Sequence, residues 1–213
     1  MHLKRIAAPR SWPVERKGSK YIAVPRGDGN GLPLVVAIRD ILKLARNKKE
    51  VRRAILSENI LINNKRIKDE AYSLKLFDVL TIAPNNTNYR VEIGRRGRFK
   101  IEPVKERLGE KISKIINKKI LRGKITQINL ADGRNYLSDL KCRVGDSAVV
   151  NFNNNKIEKV IPFEENKEAL IFVGKNSGEK GRILKIDKEK VKFDLYEQNK
   201  EIEINKKSLI IIK

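Results

Sequence analysis

The spacing of apolar positions changes several times along the chain. Over residues 1–33 no period holds, because Pro9, Pro13, Pro25, Pro33 and the run Gly-Asp-Gly-Asn-Gly at 27–31 interrupt helix and strand alike. That glycine run lacks a following Gly-Lys-Ser/Thr, so it reads as a flexible turn and not as a phosphate loop. From there Leu34, Val35, Ile38, Ile41, Leu42 and Ala45 recur at helical spacing. A second helix is expected from Asn47, with Glu50 three residues later completing a capping box. Next, "ILIN" and "KRIK" alternate around a turn at Asn63-Asn64, and "AYSLKLFDVLTI" returns in extended form.

Residues 88–165 read as mostly strand, with helix as the rival for 103–118. Asp132-Gly133 between "ILRGKITQINL" and "NYL" predicts a hairpin. Strands this short and closely spaced suit a small barrel or sandwich. In "VGKNSGEKGRILKID" the glycines 174, 178 and 181 have the wrong spacing for a dinucleotide fingerprint, and "RILKID" alternates like a strand. The expected fold is α+β and multidomain. It comprises an extended N-terminal arm (1–33), a small helix-plus-sheet domain (34–102), a central β domain (103–165) and a small β barrel (166–213).

Charge narrows the function. Lys and Arg number 48 against 26 Asp and Glu, a net of +22 with a pI near 10.1. Such a field attracts phosphate backbones or anionic lipid. No run of about 18 apolar residues is present to span a membrane, and the N-terminus lacks the apolar region of a secretory signal. From Lys167 onward the net charge is only +4, so residues 1–166 carry +18 and are expected to face the polyanion. Cys142 and His2 are the sole residues of their types. Disulfide frameworks, zinc sites and histidine-based catalysis are therefore not expected, nor is any cofactor or small-molecule substrate.

Within the basic part, Lys48, Lys49, Arg52 and Arg53 fall inside an arc of about 140° at helical spacing, with Val51, Ala54 and Ile55 opposite and Leu56 intruding. Like charges so placed repel one another, which favours a neutralising partner over a merely solvated face. Lys65 and Arg66 at the hairpin tip add a second basic edge, suited to the minor groove and phosphates of folded RNA. The arm carries Lys4, Arg5, Arg10, Arg16 and Lys17. Trp12 and Tyr21 are unusual for a plain solubilising tail, so the arm is expected to order against a partner or a neighbouring domain. Arg95, Arg96 and Arg98 flank Phe99, and Lys111, Lys114, Lys118, Lys119, Arg122 and Lys124 make the start of the central domain basic.

Two segments resemble known modules. The order "NKKEVRRAIL", "ILINNKRI", "FDVLTI" resembles the S-four type RNA-binding domain. Asn63, Lys65, Arg66 and Ile67 match its hairpin, while Asn64 and Phe77 stand where glycine is usual. Asn tolerates positive φ, so the first turn is expected to survive. Gly-Lys-x-x-Gly-x-x-Gly-x-Ile from Gly174 resembles the KOW motif, found in barrels that bind RNA or protein. Together with "HLKRIAAP" at 2–9, Gly97-Arg98-Phe99, Asp132 to Asn135 and "KVIPFE" at 159–164, the chain resembles the archaeal and eukaryotic branch of small-subunit ribosomal protein number four. Relatives carry further basic residues ahead of the histidine and continue past the position of Lys213, so some terminal rRNA contacts are expected to be missing.

The resemblance implies a non-enzymatic constituent of the small ribosomal subunit in the cytoplasm, partnered by rRNA and neighbouring ribosomal proteins. Its principal surface would be Lys48, Lys49, Arg52, Arg53, Asn64, Lys65 and Arg66. The arm cations would thread between rRNA helices, with Trp12 stacking on a base or packing on the adjacent domain. Arg95, Arg96 and Arg98 would form a secondary site, with Lys175 and Arg182 on the KOW segment. A KOW-bearing regulator of transcription or translation is the alternative. An RNA-modifying enzyme ranks lower, since no segment is left for a catalytic domain.

Overall fold

A computed structural model describes residues 2–27, 31–105, 109–196 and 200–213. Residues 28–30 of the glycine run lie outside these. The chain divides into two compact units, Met1–Ile93 with Arg98–Gly109, and Gly94–Gly97 with Glu110–Lys213. Both are mostly β. No described helix is long and apolar enough to cross a membrane.

In the first unit β1 (Leu3–Lys4) pairs antiparallel with β2 (Tyr21–Ile22). β3 (Leu32–Pro33) leads into α1 (Leu34–Val36), whose helical path continues through wider, π-type turns over Ala37–Ile41. The long first helix expected from the spacing is thus a short, irregular one. Leu34 to Ile38 are all buried, and a segment enclosed on every side has no amphipathic stripe to keep its turns regular. α2 (Lys48–Leu56) is regular. After it come β4 (Ile60–Ile62), β5 (Lys65–Arg66), β6 (Ser73–Leu74), β7 (Val79–Ile82), β8 (Thr87–Ile93) and β9 (Phe99–Pro103). Five of these form one sheet, ordered β5-β4-β7-β8-β9, while β3 pairs with β6.

The core of this unit joins Val51 and Ile55 of α2 to Leu34, Ile60, Ile62, Leu80 and Val91, and it also takes in Ala8, Trp12 and Ile22. The proline-rich arm is therefore packed against its own unit. Two arginines pin it. Arg5 donates to the Ser19 carbonyl (2.9 Å), the Glu15 carbonyl (3.1 Å) and Ser19 Oγ (2.8 Å). Arg16 donates to the carbonyls of Ile6 and Ala8. A segment without ladder partners satisfies its backbone acceptors this way.

The second unit holds two five-stranded antiparallel sheets. The first, ordered β12-β11-β10-β13-β14, comprises β10 (Glu110–Ile120), β11 (Thr126–Leu130), β12 (Asn135–Leu137), β13 (Ser147–Asn151) and β14 (Lys156–Ile161). Strand, not helix, thus occupies the ambiguous stretch from 110 to 118. The Asp132-Gly133 turn joins β11 to β12, with Gly133 at φ +85°. The second sheet, ordered β18-β17-β16-β15-β19, comprises β15 (Glu168–Ile171), β16 (Lys180–Ile186), β17 (Lys190–Leu195), β18 (Lys200–Asn205) and β19 (Leu209–Ile211). Its core is Ile171, Ile183, Val191, Phe193, Leu195, Leu209 and Ile211. Two glycines of the 174–181 motif are required by crowding. A Cβ on Gly181 would strike the Asp194 carbonyl, and one on Gly178 the Gly94 carbonyl.

Two lysines counted above with the basic surface are internal. Lys111 pairs with Asp132 at 3.0 Å, with side chains 2% and 5% exposed. Burial would raise the Asp132 carboxyl, but the Lys111 charge and the hydrogen bond from the Arg134 amide outweigh it and hold the group below its ordinary value. Lys114 points inward and donates to the carbonyls of Lys206 (2.7 Å), Lys207 (3.2 Å) and Leu209 (2.7 Å).

Candidate nucleic-acid interface

α2 begins as its sequence requires. Asn47 Oδ1 accepts from the Glu50 amide at 3.0 Å, and the Glu50 carboxylate accepts from the Arg46 amide (2.7 Å) and from Asn47 Nδ2 (3.0 Å). The capping box thus closes one residue earlier than its usual form, on Arg46 rather than on the cap residue. Val51 and Ile55 anchor the inner face. Lys48, Lys49, Arg52 and Arg53 are exposed on the other, together with Leu56 at 68%.

The hairpin of β4 and β5 has Asn63 and Asn64 at its tip, with φ of +52° and +60°. Two successive positive φ values make a type I′ turn, whose twist matches the flanking strands. Asn64 therefore adopts the conformation expected where glycine is usual. Asn63 is fully buried and acts as a clamp. Its Nδ2 donates to Asp78 Oδ1 (2.8 Å), its Oδ1 accepts from the Val79 amide (2.9 Å), and its own amide donates to the Val79 carbonyl (2.9 Å). Asp78 Oδ2 in turn accepts from the Lys75 amide at 2.7 Å. The Asn and Asp of the two matched motifs are thus one buried pair that sets the hairpin against β7. Phe77 takes φ +63° ahead of it, a left-handed conformation unusual for a bulky residue.

Ion pairs set the hairpin segment beside α2. Arg66 reaches Glu58, just beyond the C-terminal end of the helix, at 2.8 Å. Lys48, at its N-terminal end, reaches Glu70 at 2.7 Å. The chain from 66 to 70 thus adjoins both ends of α2, with Arg66 beside its C-terminal end and Glu70 beside Lys48 of the basic arc. The Arg66–Glu58 pair is exposed on both sides and contributes little to stability, whereas Glu70 of the other pair is partly buried. Among the described residues no carboxylate pairs with Lys49, Arg52 or Arg53.

The remaining expected site residues fall on both units. Lys4, Arg10 and Lys17 are exposed. Arg5 and Arg16 direct part of their guanidinium N–H groups, three bonds and two, to the arm itself. Trp12 is 3% exposed in the core, so of the two roles named for it, it packs, and no ring face is left for stacking. Tyr21, noted in the sequence as unusual for a plain tail but not placed among the expected site residues, is the exposed aromatic of the arm. It pairs across from Lys4, with Lys20 Nζ 5.4 Å from its ring centroid and His2 edge-on at 5.0 Å. The signal was present as an aromatic among cations in "RKGSKYI". Arg98 belongs to the first unit, while Arg95, Arg96, Lys175 and Arg182 belong to the second and are exposed.

Comparison with known proteins finds relatives along most of the chain. Residues 1–27 match the RS4NT domain, and residues 85–157 match the ribosomal family S4e. The small ribosomal subunit protein eS4 of Methanocella arvoryzae is 38% identical over 189 residues, covering 87% of this chain and 80% of its own. That of Nanoarchaeum equitans is 38% identical over 200 residues, covering 91% and 84%. The crystal structure of the 30S ribosomal protein S4e from Thermoplasma acidophilum superposes with a TM-score of 0.71 at 27% identity, covering 84% of this chain and 93% of its own. With relatives of that identity aligned along most of their length, the chain belongs to the ribosomal S4e family.

Proposed function

We propose that the chain is a structural, non-catalytic constituent of the small ribosomal subunit that binds and stabilises small-subunit rRNA in the cytoplasmic ribosome. One observation carries the mechanism: Lys49, Arg52 and Arg53 stand on one helix face with no carboxylate paired to them, and the cationic hairpin tip is tied alongside. Cations held on a rigid, capped helix neutralise phosphates without first ordering a loop, so little binding energy is lost to entropy. Asn64, Lys65 and Arg66 extend the same surface, and Tyr21 with Lys4 and Lys20 offers a stacking ring beside cations. On this reading residues 34–102 act as the S-four type module and 166–213 as the KOW module, with other small-subunit proteins as neighbours.

Double reversal Arg52→Glu/Arg53→Glu tests the surface. Affinity for transcribed small-subunit rRNA is expected to fall by more than about tenfold, with a shallower salt dependence, because phosphate contacts dominate both. Circular dichroism should be unchanged, since both side chains are exposed. Undiminished binding would move the principal interface elsewhere. Failure of the wild-type protein to co-sediment with small subunits at moderate salt would overturn the ribosomal assignment itself.

A further inference from the structure

The second unit contains a pocket of about 530 Å³, within the range of small-ligand sites. Its walls are apolar: Ile116, Val144 and Phe172 line it, and Ile116 and Val144 are each 56% exposed. Large aliphatic side chains held that open in a basic protein invite a covering ligand. The rim is cationic, with Lys188, Lys206 and Lys207 facing a single carboxylate, Glu189. Among the described residues none of those three lysines makes an ion pair.

Lys114 closes one wall. Its three ammonium protons all go to the carbonyls of residues 206, 207 and 209, so it supplies charge to the pocket rather than a contact. Burial and the neighbouring Lys206 charge push it down to about 8, a mark of positive charge left without a counter-ion. The pocket is thus an apolar well with lysines on its rim, of which Lys206 lies over the Phe163 ring at 4.8 Å and Lys188 and Lys207 make no ion pair among the described residues. A neutral apolar ligand would leave the cations unmatched, and an inorganic anion would leave the well empty. A nucleotide matches both, since its base offers an apolar face and its flanking phosphates the negative charge.

We propose that this pocket takes one extruded nucleotide of an RNA, the base lying against Phe172 and Ile116 and the adjoining phosphates on Lys188 and Lys207. The inference rests on the RNA-binding reading above and adds a contact on the second unit, separate from the α2 surface.

The test measures anisotropy of a labelled pentauridylate and of an abasic ribose-phosphate of equal length with the full chain. The base-bearing strand is expected to bind about tenfold more tightly. Ile116→Asp, and independently Val144→Asp, should erase that preference, and both sites are exposed enough to keep the fold, as amide NMR spectra would verify. Arg52→Glu/Arg53→Glu should weaken rRNA binding yet retain the preference. Equal affinity for the two strands overturns the proposal, as does a preference that survives in both pocket variants. Displacement of the pentauridylate by an equal concentration of an acidic, leucine-bearing peptide would overturn it in favour of a protein partner. If wild type binds rRNA tightly but shows no base preference, only the pocket assignment fails. If it binds no RNA, the functional reading fails as well.

Discussion

Replacing Asn63 with alanine removes the side chain that fastens the hairpin tip to β7. Three losses follow. The bond from Nδ2 to the Asp78 carboxylate, 2.8 Å long and wholly buried, is charge-assisted and contributes about 1.5–3 kcal/mol. The buried Val79 amide loses the acceptor it holds at 2.9 Å, an unmet donor that costs about 1–3 kcal/mol. Alanine at φ +52° adds about 1–2 kcal/mol of backbone strain. The combined destabilisation is about 5 kcal/mol, a large share of the 5–15 kcal/mol typical of a folded domain. With a urea slope of about 1–3 kcal/mol per molar, the midpoint should fall by about 2 M or more.

Trp12 is the sole tryptophan and lies in the core of the same unit, so its fluorescence reports this unit's unfolding selectively. Asn63→Gly relieves the strain while still losing the amide, and should be milder by about 1 kcal/mol. A double-mutant cycle with Asp78→Ala should show a coupling above about 1 kcal/mol. A midpoint for Asn63→Ala within about 0.5 M of wild type would show that the pair does not hold the hairpin, and the reasoning would fall.

Three further outcomes concern the second unit. Asp132→Asn removes the carboxylate facing the Lys111 ammonium, which is 2% exposed, and should cost about 3 kcal/mol, read as faster amide hydrogen exchange along β10 and β11. Gly178→Ala drives a methyl into the Gly94 carbonyl at φ +95° and should melt far lower than Gly174→Ala, where φ is +111° but the space is open and only about 1–2 kcal/mol of strain arises. For Lys114, the folded value of about 8 lies below the ordinary 10.5. The unfolded chain therefore holds more protons between those values, so stability rises as pH climbs from about 8 to 10.5 and is flat with respect to this group below it. Melts over that window should show the stability of wild type rising relative to that of Lys114→Met.

Local patterns carried much of the fold. The cap at Asn47, the turn at Asn63-Asn64, the Asp132-Gly133 hairpin and the division of α2 into buried and basic faces each depend on residues within one or two turns of each other. Such short-range preferences leave a period in the sequence. The candidate interface was legible for the same reason: Lys48 to Arg53 share one helix, and Lys65 and Arg66 follow within one hairpin. Less was legible of the first helix, because Leu34 to Ile38 are enclosed on all sides and a uniformly apolar run has no phase.

The residues that changed meaning did so through long-range partners. Lys114 looked like one more surface cation until its acceptors appeared 92 to 95 residues away. Lys111 was likewise claimed by Asp132, and Arg5 and Arg16 by carbonyls of the folded arm. Trp12 was assigned to the core only once the arm folded back on its own unit. By itself the sequence determined composition, charge, local conformation and, through its motifs, the family. Which cations remain available to a polyanion, and which lock the protein to itself, was decided by tertiary structure, because burial and hydrogen-bond partners arise only when distant segments meet.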